Sequence, residues 1–219
     1  MNIYDAVLFW LGGVLTDTVA DLTMAELPAE ANSHQALEIR QAVRRLAEEL
    51  ALGRVSASEY CQRTIPLCEP GLEASALEHR IIESVALRRS VAELVKRIPA
   101  RYECWLVVDI PMEWYQEVSH RLKIHSLFSE DRMVFSSEMK LSRMVPEIFY
   151  HLPPNVSRPM DRCITVDALS ARAVESMRHG LASIIYVYPE RLKLELALQA
   201  IFPTEADVMH PTSSERVRI

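Results

Sequence analysis

Residues 4–13, YDAVLFWLGG, decide the fold because they have the pattern of a buried strand that ends in a tight turn. Strand-forming apolar residues run without a break from residue 6 to residue 10, which is typical of a parallel sheet covered on both faces. The glycine pair at 12 and 13 then favours a sharp turn of the chain. We therefore place a buried strand here and work outward from it.

The second half of the chain repeats such strands at short intervals, with a helical pattern between them. Gly180 follows the last of these helices as its expected C-cap. Alternating strands and helices predict an α/β fold with a doubly wound parallel sheet. Binding sites in such sheets lie beyond the carboxyl ends of the strands. The predicted strands are residues 104–110, 133–135, 163–168 and 183–188, and the predicted helices are residues 114–122, 146–152 and 171–179.

Between residues 21 and 96 the apolar residues recur at helical spacing, which predicts an insert of three or four helices. The final stretch is polar and contains two prolines, which is typical of a flexible tail. We therefore predict three parts. An α/β core comprises residues 1–16 and 98–202, a helical cap residues 17–97, and a flexible tail residues 203–219.

Composition argues against two classes of partner. The net charge of the 219-residue chain is -6 and its 24 Lys and Arg residues are scattered, so no basic stripe is offered to nucleic acid. The apolar run at residues 6–15 is too short to span a membrane.

The cysteines bear on the location of the protein. The four cysteines contain no CxxC pair, which suits a reducing cytoplasm.

Four segments carry a resemblance to a known family, in the order and spacing of its motifs. They are VLFWLGGVLTD (7–17), LVVDIP (106–111), SSEMKLSRMVPEIF (136–149) and VDALSARAVESMRHG (166–180). They resemble FDLGGVL, LLSNIP, SSEVGLRKPDPEIF and VDDRPENVEAARALG of the haloacid dehalogenase (HAD) superfamily, in the branch with a small helical cap. LGRVSASEY (52–60) resembles a cap segment written RGEISDEEF. The resemblance implies a HAD-like hydrolase fold over nearly the whole chain.

The first two motifs lack groups that the family's chemistry needs. The resemblance implies an aspartate nucleophile that forms a covalent intermediate, and Trp10 stands in its place. Gly12 stands where many members have an acid/base aspartate, although glycine is also usual in this branch. Val108 replaces a hydroxyl residue that binds the transferred group, and Asp109 replaces an asparagine.

The last two motifs are altered as well. Arg143 aligns with the family's lysine and keeps its positive charge in a different geometry. Asp167 is followed by Ala168, where the family has a pair of aspartates that hold Mg²⁺. We therefore expect no cofactor, and Mg²⁺ only if the protein is an enzyme after all.

Two interpretations of Trp10 remain open. Its ring fills the space of a lost substrate, or it forms a wall of a new pocket with a cation-π contact to Arg143. Two interpretations of Asp167 and Asp109 also remain open. They form a remodelled acid/base or metal site, or Asp167 is a relic that caps the turn before the following helix or pairs with Arg143.

The sequence thus predicts a catalytically inactive HAD-like protein, a pseudo-phosphatase that serves as a binding or regulatory module in the cytoplasm. Its partner is an unidentified protein or small molecule, neither nucleic acid nor membrane, and its oligomeric state is open. One alternative is a HAD-like hydrolase or phosphatase with a remodelled site at the same cap-core cleft. A second is a small-molecule sensor with Trp10 in its pocket.

Overall fold

The computed structural model describes residues 4–26, 33–68, 71–139 and 158–201 and contains a five-stranded parallel sheet. The strand order is β3-β2-β1-β4-β5, so the first strand lies in the middle. This arrangement confirms the predicted doubly wound α/β fold. The strands are β1 (Ala6–Trp10), β2 (Glu103–Val108), β3 (Met133–Phe135), β4 (Cys163–Asp167) and β5 (Ala182–Ile185).

Helices connect these strands as the sequence pattern indicates. The described residues contain α1 (Val19–Ala25), α2 (Ser33–Ala51), α3 (Ala57–Cys68), α4 (Ala74–Ser84) and α5 (Arg89–Lys96) between β1 and β2. Beyond β2 they contain α6 (Met112–Leu122), α7 (Ser170–Arg178) and α8 (Pro189–Leu198). No helix in these ranges is long and apolar enough to cross a membrane.

Strand β1 lies in the middle of the sheet, and every one of its side chains is buried there. It pairs in parallel with β2 on one side and with β4 on the other. In a parallel sheet the carboxyl ends of the strands meet at one edge. Trp10, Val108 and Asp167, which end β1, β2 and β4, are therefore brought together there.

The helices that follow β1 pack on one another and on that edge. Thr18 caps α1, since its hydroxyl accepts a hydrogen bond from the Asp21 amide at 3.1 Å. Trp114 of α6 donates to Glu78 of α4 at 2.6 Å and ties this group of helices to the sheet region. Helix α5 packs against α8. The predicted division at residue 97 remains a prediction.

The elements differ from the predicted ones mainly at their ends. Strand β5 ends at Ile185, three residues before the predicted end, and α8 was not predicted. Gly180 has a φ of 81° and its neighbour Leu181 donates to the Ser176 carbonyl, which confirms the expected C-cap. The predicted helix at 146–152 and the predicted tail lie outside the described residues.

Candidate functional site

The candidate site lies at the carboxyl edge of the sheet, where Trp10 ends the middle strand. Trp10 is 0% exposed, and it pairs with Val107 of β2. Its indole Nε1 is buried without a hydrogen-bond partner among the described residues. The lining of the cleft beside this edge, which includes Gly53, Pro111 and Ser137, does not include Trp10. A residue in this position offers no surface to a ligand.

The face of the Trp10 ring is covered by Arg172, which α7 carries toward the same edge. The guanidinium carbon lies 3.6 Å from the centre of the indole ring. This is a close cation-π contact, and burial strengthens such a contact because water does not compete for the cation. One of the two interpretations of Trp10 assigned this contact to Arg143, which lies outside the described residues.

Arg172 is also held by two carboxylates. Its Nη2 donates a hydrogen bond to Asp167 Oδ1 at 2.8 Å, and its Nε lies 2.7 Å from Asp167 Oδ2 as an ion-pair contact, so both oxygens of Asp167 face the guanidinium. A longer contact of 3.4 Å joins Nη1 to Asp109 Oδ2. The side chains of Arg172, Asp167 and Asp109 are 3%, 0% and 10% exposed. Solvent therefore screens these contacts little.

Asp109 is anchored on its other side by the turn after β1. The Gly12 amide donates to Asp109 Oδ1 at 2.9 Å. A Cβ atom at position 12 would lie 2.9 Å from both carboxylate oxygens, closer than real Cβ contacts. Glycine at this position lets Asp109 approach the backbone, which is a structural reason for the residue that the motif alone left unexplained.

Asp167 serves the start of α7 as well as the ion pair. Its Oδ1 accepts a hydrogen bond from the Leu169 amide at 2.9 Å and so closes the turn that precedes α7, as one of the interpretations of the sequence predicted. Burial raises the pKa of the Asp167 carboxyl, and the neighbouring Arg172 charge opposes that rise. The predicted partner Arg143 lies outside the described residues, and Arg172 is the partner that the structure places there.

Of the other motif positions that the structure describes, Val108, Ala168 and Ser136 supply no free reactive group to this edge. Val108 is fully buried, and Ala168 presents only a methyl group, which a Cβ at Gly13 would approach to 2.8 Å. Ser136 at the end of β3 donates to the carbonyl of Ala51 at 2.6 Å. Its hydroxyl therefore joins the inserted helices to the sheet.

Arg172 is the site residue that sequence reasoning missed. In the fourth motif it stands where the family pattern VDDRPENVEAARALG has asparagine. An arginine in an amphipathic helix is usually a surface residue, so the helical pattern gave no reason to choose it. The exchange of asparagine for arginine, five residues after Asp167, was the available signal.

These features define a class of protein: a doubly wound α/β sheet with helices inserted after its first strand and an altered site at the strand ends. No family model and no curated protein matches the chain. Solved structures do match, at low sequence identity.

A HAD family enzyme from Bacteroides thetaiotaomicron, solved with magnesium and inorganic phosphate, is 13% identical with a TM-score of 0.62, over 84% of this chain and 94% of that one. A predicted HAD-like hydrolase from Porphyromonas gingivalis is 14% identical with a TM-score of 0.64, over 88% and 98%. L-2-haloacid dehalogenase from Xanthobacter autotrophicus, with chloropropionic acid covalently bound, is 15% identical with a TM-score of 0.63, over 99% and 92%. The protein therefore has the HAD-like hydrolase fold, as the motifs predicted.

Proposed function

We propose that this HAD-like protein is catalytically inactive and uses its scaffold as a binding or regulatory module. One observation carries the proposal: Trp10 stands at the position of the nucleophile, fully buried, with its ring covered by Arg172. An indole supplies neither a carboxylate nucleophile nor a ligand for Mg²⁺. The covalent step of the family has no group to start it.

Two further losses support the same conclusion. Val108 has no hydroxyl to donate to a phosphoryl oxygen, and Ala168 removes one carboxylate from the fourth motif. Residues of a concerted site act as a unit, so the loss of several is not repaired by one survivor. Of the carboxylates that the resemblance implies in the first and fourth motifs, Asp167 remains, and it is engaged by Arg172.

The junction between the inserted helices and the sheet offers a surface for binding. A cleft of about 330 Å³ lies beside the turn between α2 and α3 and the start of α6. Its lining includes Arg54, Ser56, Glu59, Glu113 and Ser137, so the cleft suits a polar ligand or a polar segment of a partner. We also propose a cytoplasmic location, on the composition of the chain alone.

An activity screen tests the proposal. Phosphate esters and chloropropionate are supplied to the wild type with Mg²⁺, and product release is compared with that of Asp167→Asn. We expect no turnover above the background without protein. Turnover by the wild type that Asp167→Asn abolishes would falsify the proposal, since it would assign chemistry to this edge.

A second candidate is a hydrolase with a remodelled site. The observation that favours it is the convergence of Asp109 and Asp167 on one guanidinium at the strand ends. Paired carboxylates serve acid/base chemistry when one of them is free to exchange a proton. The same comparison with Asp167→Asn decides between the two candidates.

A further inference from the structure

The residues at the strand ends do not fit a resident Mg²⁺ ion. Magnesium prefers an octahedral shell of oxygen atoms that includes carboxylates. Trp10 and Ala168 remove two of the carboxylates that the HAD resemblance implies, and Asp167 turns both oxygens toward Arg172. Among the residues that the structure describes, no three His, Cys, Asp or Glu side chains form a group able to hold a metal.

We propose that the guanidinium of Arg172 replaces the divalent cation of the fold and holds the site together as a cation built into the chain. Arginine keeps its charge at every physiological pH, so it neutralises a buried carboxylate permanently. The carboxylate of Asp167 receives two contacts from it, and Asp109 receives a third.

The side chains of Trp10 and Arg172 are chemically complementary in this arrangement. A guanidinium is flat, so one face of Arg172 lies over the indole while its N–H edge contacts the carboxylate of Asp167. An aspartate at position 10 would instead add a third negative charge beside Asp109 and Asp167. A carboxylate at position 10 would suit a dipositive metal ion. The uncharged indole face of Trp10 suits the single positive charge of Arg172 instead.

The turn after β1 belongs to the same arrangement. Gly12 donates to Asp109, and Asp109 contacts Arg172, so the cation links the ends of β1, β2 and β4. Here α7 supplies the linking charge, and the site requires nothing from solution.

The experiment measures melting temperature, so it does not depend on activity. The wild type, Arg172→Ala and the matched control Arg178→Ala are each melted alone, with Mg²⁺, and with methylguanidinium at millimolar concentration. Arg178 lies on the same helix and pairs with Glu175 at the surface. We expect Arg172→Ala to lose roughly 6 to 20 °C and Arg178→Ala less than about 2 °C.

Added cations give the readout that a purely structural role would not. Arg172→Ala leaves a space bounded by two carboxylates and an indole face, so methylguanidinium, which reproduces the lost side-chain head, is expected to stabilise it. Mg²⁺ is not expected to do so, because Trp10 and Ala168 still withhold two carboxylates. The expected rise is roughly 3 to 6 °C at ten times the dissociation constant. The wild type and Arg178→Ala are expected to show no such rise, and Asp167→Asn in the Arg172→Ala background is expected to abolish it.

Three results would overturn the inference. They are an Arg172→Ala variant that melts at the wild-type temperature, a variant that methylguanidinium does not stabilise, and a wild type that Mg²⁺ stabilises. If Arg172→Ala does not fold alone, its refolding yield with methylguanidinium replaces the melting temperature, and no recovery counts against the inference. Metal-independent turnover by the wild type would overturn the proposed function and leave this inference standing.

Discussion

A double-mutant cycle between Trp10 and Arg172 tests the stacked contact at the site. Trp10→Leu partly empties a fully buried position, so we expect it to cost roughly 2 to 4 kcal/mol of unfolding free energy. Arg172→Met leaves Asp167 buried without its cation, for which roughly 3 to 5 kcal/mol is expected. A buried cation 3.6 Å from the ring centre contributes about 2 kcal/mol, so the double variant should lose about 2 kcal/mol less than the sum.

Urea unfolding followed by far-ultraviolet circular dichroism measures the cycle, because the fluorescence of the protein changes when a tryptophan is replaced. Trp114→Leu is the matched control, since its ring packs edge-on against Tyr60 and its indole donates to Glu78. Its cost should add to that of Arg172→Met. A coupling energy for Trp10 and Arg172 within about 0.5 kcal/mol of zero would refute the stacking argument.

Three further outcomes are expected. Gly12→Ala should lower the unfolding free energy by about 1 to 3 kcal/mol, since its Cβ displaces Asp109 from the amide; unchanged urea unfolding would contradict this. The hydrogen bond from Arg162 lowers the pKa of the Asp5 carboxyl in the folded protein. The stability that this contact contributes is therefore present above the unfolded-state pKa of Asp5 and is lost as the pH falls through the depressed pKa. The melting temperatures of wild type and Asp5→Asn should therefore converge at acid pH, and a difference that is constant with pH would count against the contact. Trp10→Asp alone should show no Mg²⁺-dependent hydrolysis, and measurable turnover would show that the other losses matter less than argued.

The strands were predictable because their signal is local. A continuous apolar run such as residues 6–10 is recognisable without knowledge of its neighbours, and the carboxyl ends of such strands must share an edge. The meeting of Trp10 with the segments of Asp109 and Asp167 followed from that rule. The motif comparison then gave the HAD-like fold, which the solved structures confirm.

Helix α8 was missed because its pattern is misleading. Leu192, Leu194, Leu196 and Leu198 alternate as in a strand, but only Leu192 and Leu196 are buried, which is the spacing of four that a helix presents on one face. Pro189 at the first turn was the local sign of a helix start.

The contacts of Arg172 were beyond the reach of the pattern for a different reason. They depend on where α7 sits over the sheet and on which of its faces turns toward the strand ends. Spacing along one helix does not determine either quantity, because packing between distant segments does. The identity of the cation over Trp10 therefore came only from the structure.

The most direct test of the account is the intact mass of the wild-type protein after incubation with Mg²⁺ and a reactive substrate, either acetyl phosphate or chloropropionate. The HAD resemblance implies a covalent intermediate on the residue at position 10. Because that residue is Trp10, buried under Arg172, the account predicts an unmodified mass at every time point. A phosphoryl or carbon adduct on Asp109 or Asp167 that forms and then decays would contradict it.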